Sequence, residues 1–372
     1  MNFLLGDSLG IYIHIPFCRS KCPYCSFYSL NGNEEIKSCY IKKVCDEIKR
    51  WGNTLKSPVD TVYFGGGTPS LIKSDEMIDI LKSINENFNV VINPEITMEV
   101  NPADYESVDF EKLKFFGLNR VSIGAQSLDN HELKILGRRH NVNDVFSTYE
   151  YVKKAGINNI SIDFIIGFPE QNLENLDRML NFCRDNNIPH VSVYLLKVEE
   201  NTPYYFNEGL LKFPSDDVCS NFYLYISENM KKIGYNHYEI SNFALPGKES
   251  KHNLKYWNLE NYLGIGPSAH SLIGNKRFYY EDNIYKFNKE AKILSEGIGG
   301  TEEEYLMLRL RLSEGIKVDQ YESKFKVSFP QIYFERIKKY EAFNLVKFNK
   351  NEIKLTNKGF LLSNKIISDI II

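Results

Sequence analysis

Six short β-rich runs, separated by helical patterns, constrain this chain more than any other feature of its sequence. They lie at 11–15 (IYIHI), 61–66 (TVYFGG), 95–100 (EITMEV), 120–126 (RVSIGAQ), 159–167 (NISIDFIIG) and 190–196 (HVSVYLL). Most are nearly continuous apolar stretches, the pattern of parallel strands buried on both faces. Between them apolar residues recur at helical steps: Ile36, Tyr40, Val44 and Ile48, then Met77, Ile78, Leu81 and Ile84, then Leu173, Leu176 and Leu180. Gly117, Gly137, Gly156 and Gly234 each follow a periodic segment, where a helix commonly ends in a left-handed residue. Strand–helix units in series require right-handed crossovers and a parallel sheet. Six in a row predict an α/β fold, a partial (β/α)6 TIM-like barrel, with an open doubly wound sheet as the architectural rival.

A chain of 372 residues, 43% of them hydrophobic, can bury one large domain and a smaller one. The expected division is a barrel over 1–240, a connector over 241–300 and a C-terminal unit over 301–372. That last unit reads as a helix around 305–312, a break at Gly315, a helical run over 331–340 and a hairpin in VKFNKNEIKLTNKG. Helices followed by a two-stranded wing predict a small winged-helix-like α+β domain. Its run Tyr305-Leu306-Met307-Leu308 has a core-packed character, so a docking or lid role is favoured over DNA reading. A net charge of −3 argues against nucleic acid as the main partner. There is no run of about 18 uncharged apolar residues, and MNFLLGDSLG lacks a basic leader. Seven cysteines, an odd number, suit a reducing compartment rather than a disulfide framework. A soluble, cytoplasmic protein is expected.

The chemistry starts at Cys18, Cys22 and Cys25, whose C-x3-C-x2-C spacing directly follows the first strand. Three thiolates in one loop can close on a small inorganic core. Iron–sulfur clusters usually take four thiolates, so three leave one iron open. The competing reading is structural zinc in a closed tetrahedron, with His14 as the nearby fourth candidate, separated from Cys18 by Pro16. Cys39, Cys45, Cys183 and Cys219 fall singly in helical stretches, as inert buried thiols do. Other polar residues collect at the carboxyl ends of successive strands, where a barrel of this kind carries its chemistry. They are Gly65-Gly66-Gly67-Thr68-Pro69, then Glu99, Asn101 and Pro102, then Gln126, then Asp163 before Gly167. A triple glycine removes every Cβ from its turn and lets backbone groups approach a ligand; alone it would mark only a tight turn. Asp163, between Ile162 and Phe164, and Glu99 are acids that cost too much to bury unpaired.

Taken in order, YIHIPFC-x3-C-x2-C, YFGGGTPS, EVNP, SIGAQS followed by LGRRH, and IDFIIGFP run from Tyr12 to about Pro169, and HNLKYW and YLGIGPSAHS follow. Together they resemble the radical S-adenosylmethionine (SAM) superfamily, and within it the coproporphyrinogen III oxidase-like branch. The resemblance implies that Cys18, Cys22 and Cys25 hold a [4Fe–4S] cluster whose open iron is chelated by the amino and carboxylate groups of SAM. It implies that Gly66, Gly67 and Thr68 meet the methionine part of SAM, that Glu99 accepts hydrogen bonds from it, and that the Tyr24 backbone lies against its adenine. Tyr12, Gln126, Arg138 and Asp163 match further SAM-binding positions, in some members for a second molecule. Arg138 is suited to a carboxylate and Asp163 to a ribose diol. Arg138 beside Arg139 also reads as a solvated helix-end charge, and Gln126 as a partner for barrel backbone groups. A reduced donor such as flavodoxin or ferredoxin would supply the electron that splits SAM into methionine and a 5'-deoxyadenosyl radical.

Within that branch, members that decarboxylate coproporphyrinogen III carry another cysteine two residues beyond the third ligand, and a longer N-terminal segment. Here the position is Phe27, and seventeen residues precede Cys18. Haem chaperones of the HemW type lack both features and carry H-N-x-x-Y-W, matched by His252, Asn253, Tyr256 and Trp257. The resemblance therefore implies a haem chaperone that binds haem and passes it to client haemoproteins, with peripheral membrane association through those clients. The runner-up is an oxygen-independent coproporphyrinogen III oxidase (dehydrogenase) of porphyrin biosynthesis; a third reading is a radical SAM enzyme with another substrate. His252 would offer an imidazole to haem iron, and Tyr256 and Trp257 aromatic faces to the porphyrin. His270 and His237 are lower-ranked ligands, and the plain alternative for His252 is a loop histidine beside a core tryptophan.

Overall fold

The computed structural model describes residues 8–207, 209 and 211–371. The segment MNFLLGD, on which the leader expectation largely rests, lies outside them. Six strands, β1 (Leu9–Ile15), β2 (Val59–Gly66), β3 (Val90–Val100), β4 (Arg120–Gln126), β5 (Asn159–Ile166) and β6 (His190–Leu195), stand where the sequence predicts them. Each is parallel to the strand before it, in the order β1-β2-β3-β4-β5-β6. A doubly wound sheet reverses its strand order at a switch point. No reversal occurs here, which excludes that rival and puts the crossover helices on one outer face. These helices are α1 (Glu34–Gly52), α2 (Ser74–Asn87), α3 (Phe110–Phe115), α4 (Asn130–Ile135), α5 (Val142–Lys154), α6 (Leu173–Asp185), α7 (Pro203–Phe206) and α8 (Asp216–Lys232).

The sheet continues on both sides of these six. Beyond β6 come β8 (Asn242–Ala244) and β7 (Asn236–Glu239), both antiparallel. Beyond β1 come β9 (Tyr262–Ile265), parallel to it, and then β10 (His270–Ile273), β11 (Lys276–Tyr280) and β12 (Ile293–Ile298), antiparallel to one another. Residues 241–300 thus add strands to the barrel sheet as well as α9 (Lys251–Trp257) and α10 (Ile284–Lys289). The end strands β7 and β12 do not pair, so the barrel stays open.

The strands are not uniformly apolar, as their composition suggests; they alternate. Ile11, Ile13, Val62, Phe64, Ile123 and Ile162 join helix residues such as Val44, Ile48, Ile78 and Leu81 in one buried core, each contributing about 1.5–3 kcal/mol. The intervening residues, Tyr12 and His14, Thr61 and Tyr63, Thr97 and Glu99, Arg120 and Ser122, Ser161 and Asp163, His190 and Ser192, face the barrel interior. There they contact one another across strands. The lumen is polar.

Two helix expectations change in detail. Leu173 opens α6 and is 48% exposed; the buried stripe is Leu176, Met179, Leu180 and Cys183. Of the cysteines expected to be buried, Cys183 is, but Cys39 is exposed and Cys45 and Cys219 are half-buried. Gly117, Gly137, Gly156 and Gly234 all have positive φ at helix ends, as their spacing predicts.

The C-terminal unit holds α11 (Glu302–Arg309), α12 (Val318–Phe325), α13 (Gln331–Glu341), α14 (Asn357–Leu361) and α15 (Ser363–Ile371). Its three-stranded sheet comprises β13 (Ile316–Lys317), β14 (Val346–Asn349) and β15 (Glu352–Leu355), the last two forming the expected hairpin. It joins the barrel through β7 and α9. Ser313 N–H donates to the Tyr238 carbonyl, Ile240 N–H to the Arg311 carbonyl, and Arg309 to the Asn258 side chain. Among the described residues no helix is long and apolar enough to cross a membrane.

Candidate functional site

The cysteine loop leaves β1 and is tied at its neck. Cys18 N–H donates to the Leu30 carbonyl (3.0 Å) and Leu30 N–H to that of Pro16 (2.8 Å). Inside the loop Cys25 N–H donates to the Cys22 carbonyl (3.1 Å), a turn that brings the last two thiols together. All three cysteines are partly exposed free thiols. They line a cavity of about 440 Å3 together with Tyr24, Gly66, Gly67, Thr68, Glu99, Gln126, Arg138 and Asp163, a size ordinary for small-molecule sites. With Tyr194 and Leu195 of β6, residues from six strand ends and one helix end therefore meet at the carboxyl end of the barrel. Tyr12 is not among the lining residues; its hydroxyl is engaged with His14 Nδ1 at 3.0 Å.

The glycine turn works differently from its sequence reading. A Cβ on Gly65 would stand 2.9 Å from Glu99 Oε1, one on Gly66 2.4 Å from the His14 ring, and one on Gly67 2.8 Å from the Ile15 and Phe17 carbonyls. Gly66 also has φ of +107°, a region open chiefly to glycine. The three glycines let the turn press against β1 and Glu99. Gly66 N–H donates to Glu99 Oε2 (3.2 Å) and Gly67 N–H to the Ile15 carbonyl (2.9 Å), so backbone contact from these two to a ligand falls to their carbonyls. Thr68 Oγ1 lies 3.5 Å from Cys18 Sγ.

Glu99 also accepts from the Tyr63 hydroxyl (3.0 Å). Burial, followed by the charge of Asp163, pushes its carboxyl up to about 7. Asp163 accepts from Ser122 (2.9 Å), Ser161 (3.2 Å) and Ser192 (2.7 Å), and burial raises its pKa as well. The acid between two apolar neighbours is thus paired by three serines that alternate with the apolar residues of β4, β5 and β6. Sequence reasoning missed them, together with Tyr194 at the cavity wall; the signal was the period-2 alternation S-x-Y in β6. Gln126 sits at a register shift between β4 and β5 with φ of +67°, a bulge that turns its side chain to the cavity.

Arg138 is no solvated helix-end charge. The α4 helix closes in a Schellman turn, with Arg138 N–H donating to the Leu133 carbonyl (2.8 Å) and Gly137 N–H to that of Lys134 (3.0 Å). This directs the guanidinium inward, to the Gly124 carbonyl (3.1 Å), Cys22 Sγ (3.3 Å) and the Tyr24 hydroxyl (3.4 Å). Arg139 beside it remains exposed.

The donor set can be tested against zinc and against a cluster. His14 is buried, and both ring nitrogens are engaged, Nδ1 with Tyr12 and Nε2 with the Tyr28 carbonyl (3.0 Å); it is not free to complete a tetrahedron. Among the described residues no three His, Cys, Asp or Glu side chains stand close enough to hold a single ion. Three thiols on one loop, with His14 unavailable as a fourth ligand, fit a cluster with one iron left open.

At the other end of the lumen the histidine motif is shut in. His252 is 0% exposed. Its Nδ1 pairs with Thr61 Oγ1 (2.8 Å), its Nε2 with the Tyr256 hydroxyl (2.7 Å), and its ring stacks on Tyr63 at 5.3 Å. Burial, then the charges of Lys255 and Arg120, hold its pKa down to about 3. In this arrangement the imidazole has no lone pair free for iron, which corrects the expectation of an available ligand. Tyr256 is part of the same plug, and Trp257 ends α9 half-buried. No residue of the C-terminal unit lines the cysteine cavity, so among the described residues that unit is not its lid.

A parallel partial barrel with three thiols at its open end defines a radical SAM-type protein. The profile of the radical SAM superfamily matches residues 12–183, and that of the HemN C-terminal domain residues 303–362. The chain is 34% identical to "Heme chaperone HemW" of Lactococcus lactis, covering 98% of this chain and 97% of that one. It is 32% identical to the Bacillus subtilis protein of the same name, covering 95% and 97%. Among solved structures it is similar to coproporphyrinogen III oxidase (HemN) from Escherichia coli, with a TM-score of 0.81 at 20% identity over 98% of this chain and 90% of that one. At that identity the likeness concerns the fold. The chain belongs to the HemW family of the radical SAM superfamily. Membership of the superfamily implies a [4Fe–4S] cluster and SAM.

Proposed function

We propose that this protein is a haem chaperone that takes up haem as cargo and delivers it to client haemoproteins. The observation that carries this reading is the near full-length similarity to proteins named heme chaperone HemW. Phe27 supports it: the position two residues beyond Cys25 offers an exposed phenyl ring at the cavity rim instead of a thiol.

Cys18, Cys22 and Cys25 would hold the [4Fe–4S] cluster, and the cavity beyond them SAM. When bound, this pair supplies one-electron cleavage of a sulfonium bond. Arg138 donates to Cys22 Sγ and keeps a positive charge beside the thiolates. Glu99 and Asp163 present carboxylate oxygens to ligand donors while Tyr63 and the three serines hold them in place. The cysteine loop is partly exposed, which suits reduction by a small donor protein such as a flavodoxin or ferredoxin.

The test is to give anoxically reconstituted protein SAM, a reductant and either haem or coproporphyrinogen III. Haem uptake seen in the Soret band, without protoporphyrinogen formation, is expected. Formation of a vinyl-bearing product would replace the chaperone reading with the oxidase.

A further inference from the structure

If haem is the cargo, iron needs a ligand, and the buried His252 does not offer one. The remaining histidines separate by the state of their ring nitrogens. His14 and His190 are buried with both nitrogens engaged. His140 is buried against the Ala125 carbonyl, and His237 is wedged between Phe243 and Phe360. Only His131 and His270 are exposed. In His131 the accessible Nε2 is taken by Glu170 at 2.8 Å, leaving Nδ1, the nitrogen crowded by its own backbone.

His270 is the reverse. Its Nδ1 lies 2.9 Å from Glu296 Oε2, and among the described residues its Nε2 has no partner. The side chain is 47% exposed, and its ring is held flat against Tyr279, with centroids 5.1 Å apart and planes 15° apart. A carboxylate on Nδ1–H fixes the tautomer and aims Nε2 outward, the arrangement that orients metal-bound histidines.

His270 opposes Tyr279 across the β10–β11 pair, and Phe278, the next residue along, stacks on Trp51 of α1 on the other face. His270 therefore lies on the face that α1 leaves uncovered. The end of this strand pair is tied to the residues after the cysteine loop through Ile284. Tyr280 N–H donates to the Ala269 carbonyl (3.1 Å), Ser268 N–H to that of Tyr280 (2.9 Å), and Ile284 N–H to the Tyr28 hydroxyl (2.9 Å). Phe27 in the loop and Tyr285 in α10 are each 66% exposed.

We propose that His270 is the protein ligand to haem iron, with Glu296 and Tyr279 as its positioning residues, on the sheet face that α1 leaves uncovered. This rests on the haem-cargo reading above. The ligating species is the imidazole with Nδ1–H donating to Glu296 and the Nε2 lone pair directed to iron.

The test titrates haem into the full-length reconstituted chain and reads the iron–histidine vibration of the ferrous form by resonance Raman, alongside affinity. His270→Ala should lose the histidine signature and bind haem on the order of 10- to 100-fold more weakly, with added imidazole restoring the signature. Glu296→Gln should keep the histidine ligand but lower the vibration frequency and weaken binding several-fold, while cluster content stays unchanged. His270→Ala with wild-type spectrum and affinity would overturn the assignment while leaving the cargo reading intact. A His252→Ala variant that stays folded yet loses the histidine signature would also overturn it. A wild-type chain that takes up no haem would remove the cargo reading, and His270 with it.

Discussion

The two ends of the barrel lumen are both polar and differ in whether their side chains close on one another or border open space. At the lower end Thr61, His252 and Tyr256 form one closed chain, and Ser161, His190 and Tyr238 another. Lys255 is held there by Asp60 and Glu260. At the upper end three thiols, two carboxylates raised by burial and an inward guanidinium border open space. A polar lumen does not by itself make a site. Open space bordered by such groups does, and it lies at the end where the strands finish.

The comparison predicts opposite costs at the two ends. His252→Ala removes two buried hydrogen bonds and a stacked ring, and should destabilise the fold by about 3 kcal/mol in denaturant unfolding. Cluster content and SAM affinity of the folded fraction should stay unchanged. A variant as stable as the parent would mean the lower end is not a structural plug.

Asp163→Asn at the upper end should do the reverse. Its serines can still hydrogen-bond, so unfolding should move little, while SAM affinity by calorimetry falls about 10- to 100-fold with the loss of a charged acceptor. Equal affinity would separate Asp163 from the ligand.

The pH dependence sharpens the contrast further. Glu99 carries its proton up to about pH 7 in the folded chain and releases it near 4.5 when unfolded. Between those values the native state binds the extra proton, so this group's contribution to stability declines as pH rises. SAM donors need the ionised form, so SAM affinity should rise roughly tenfold as pH passes through about 7. In Glu99→Gln both trends should flatten; persistence of the affinity slope there would assign it to another group.

The smallest effect is expected from Arg138→Lys, which exchanges a directed N–H to Cys22 for a mobile ammonium. The cluster midpoint should move negative by on the order of 50 mV, the equivalent of about 1 kcal/mol for one electron, in a spectroelectrochemical titration. An unchanged midpoint would mean that the 3.3 Å contact does not survive cluster binding.

Much of this was legible in the chain itself, because the signals were local. The six parallel strands, the glycine helix ends and the cysteine loop each occupy a few consecutive residues, and Glu99 and Asp163 stood out as acids in apolar strands. The alternation of the strands was obscured because tyrosine, glycine and serine on the lumen side look nearly as apolar as the isoleucines beside them. The short strands β7 to β12 carry too few residues for a period to emerge. The enclosure of His252 was illegible for a different reason. Its partner Thr61 is 191 residues away, and nothing in HNLKYW indicates that a distant strand uses up its nitrogens. His270 lies in the motif YLGIGPSAHS, which does not reveal that its partner Glu296 belongs to a strand two places along the sheet.

The most direct test of the open upper end is the metal content of anoxically purified protein, followed by its paramagnetic resonance after reduction. Iron and acid-labile sulfide in the proportions of a [4Fe–4S] cluster are predicted, with a reduced signal that changes when SAM is added and is lost when Cys18, Cys22 or Cys25 is replaced by alanine. Tightly held zinc with no signal on reduction, or a cluster indifferent to SAM, would contradict a three-thiolate site with one iron left open.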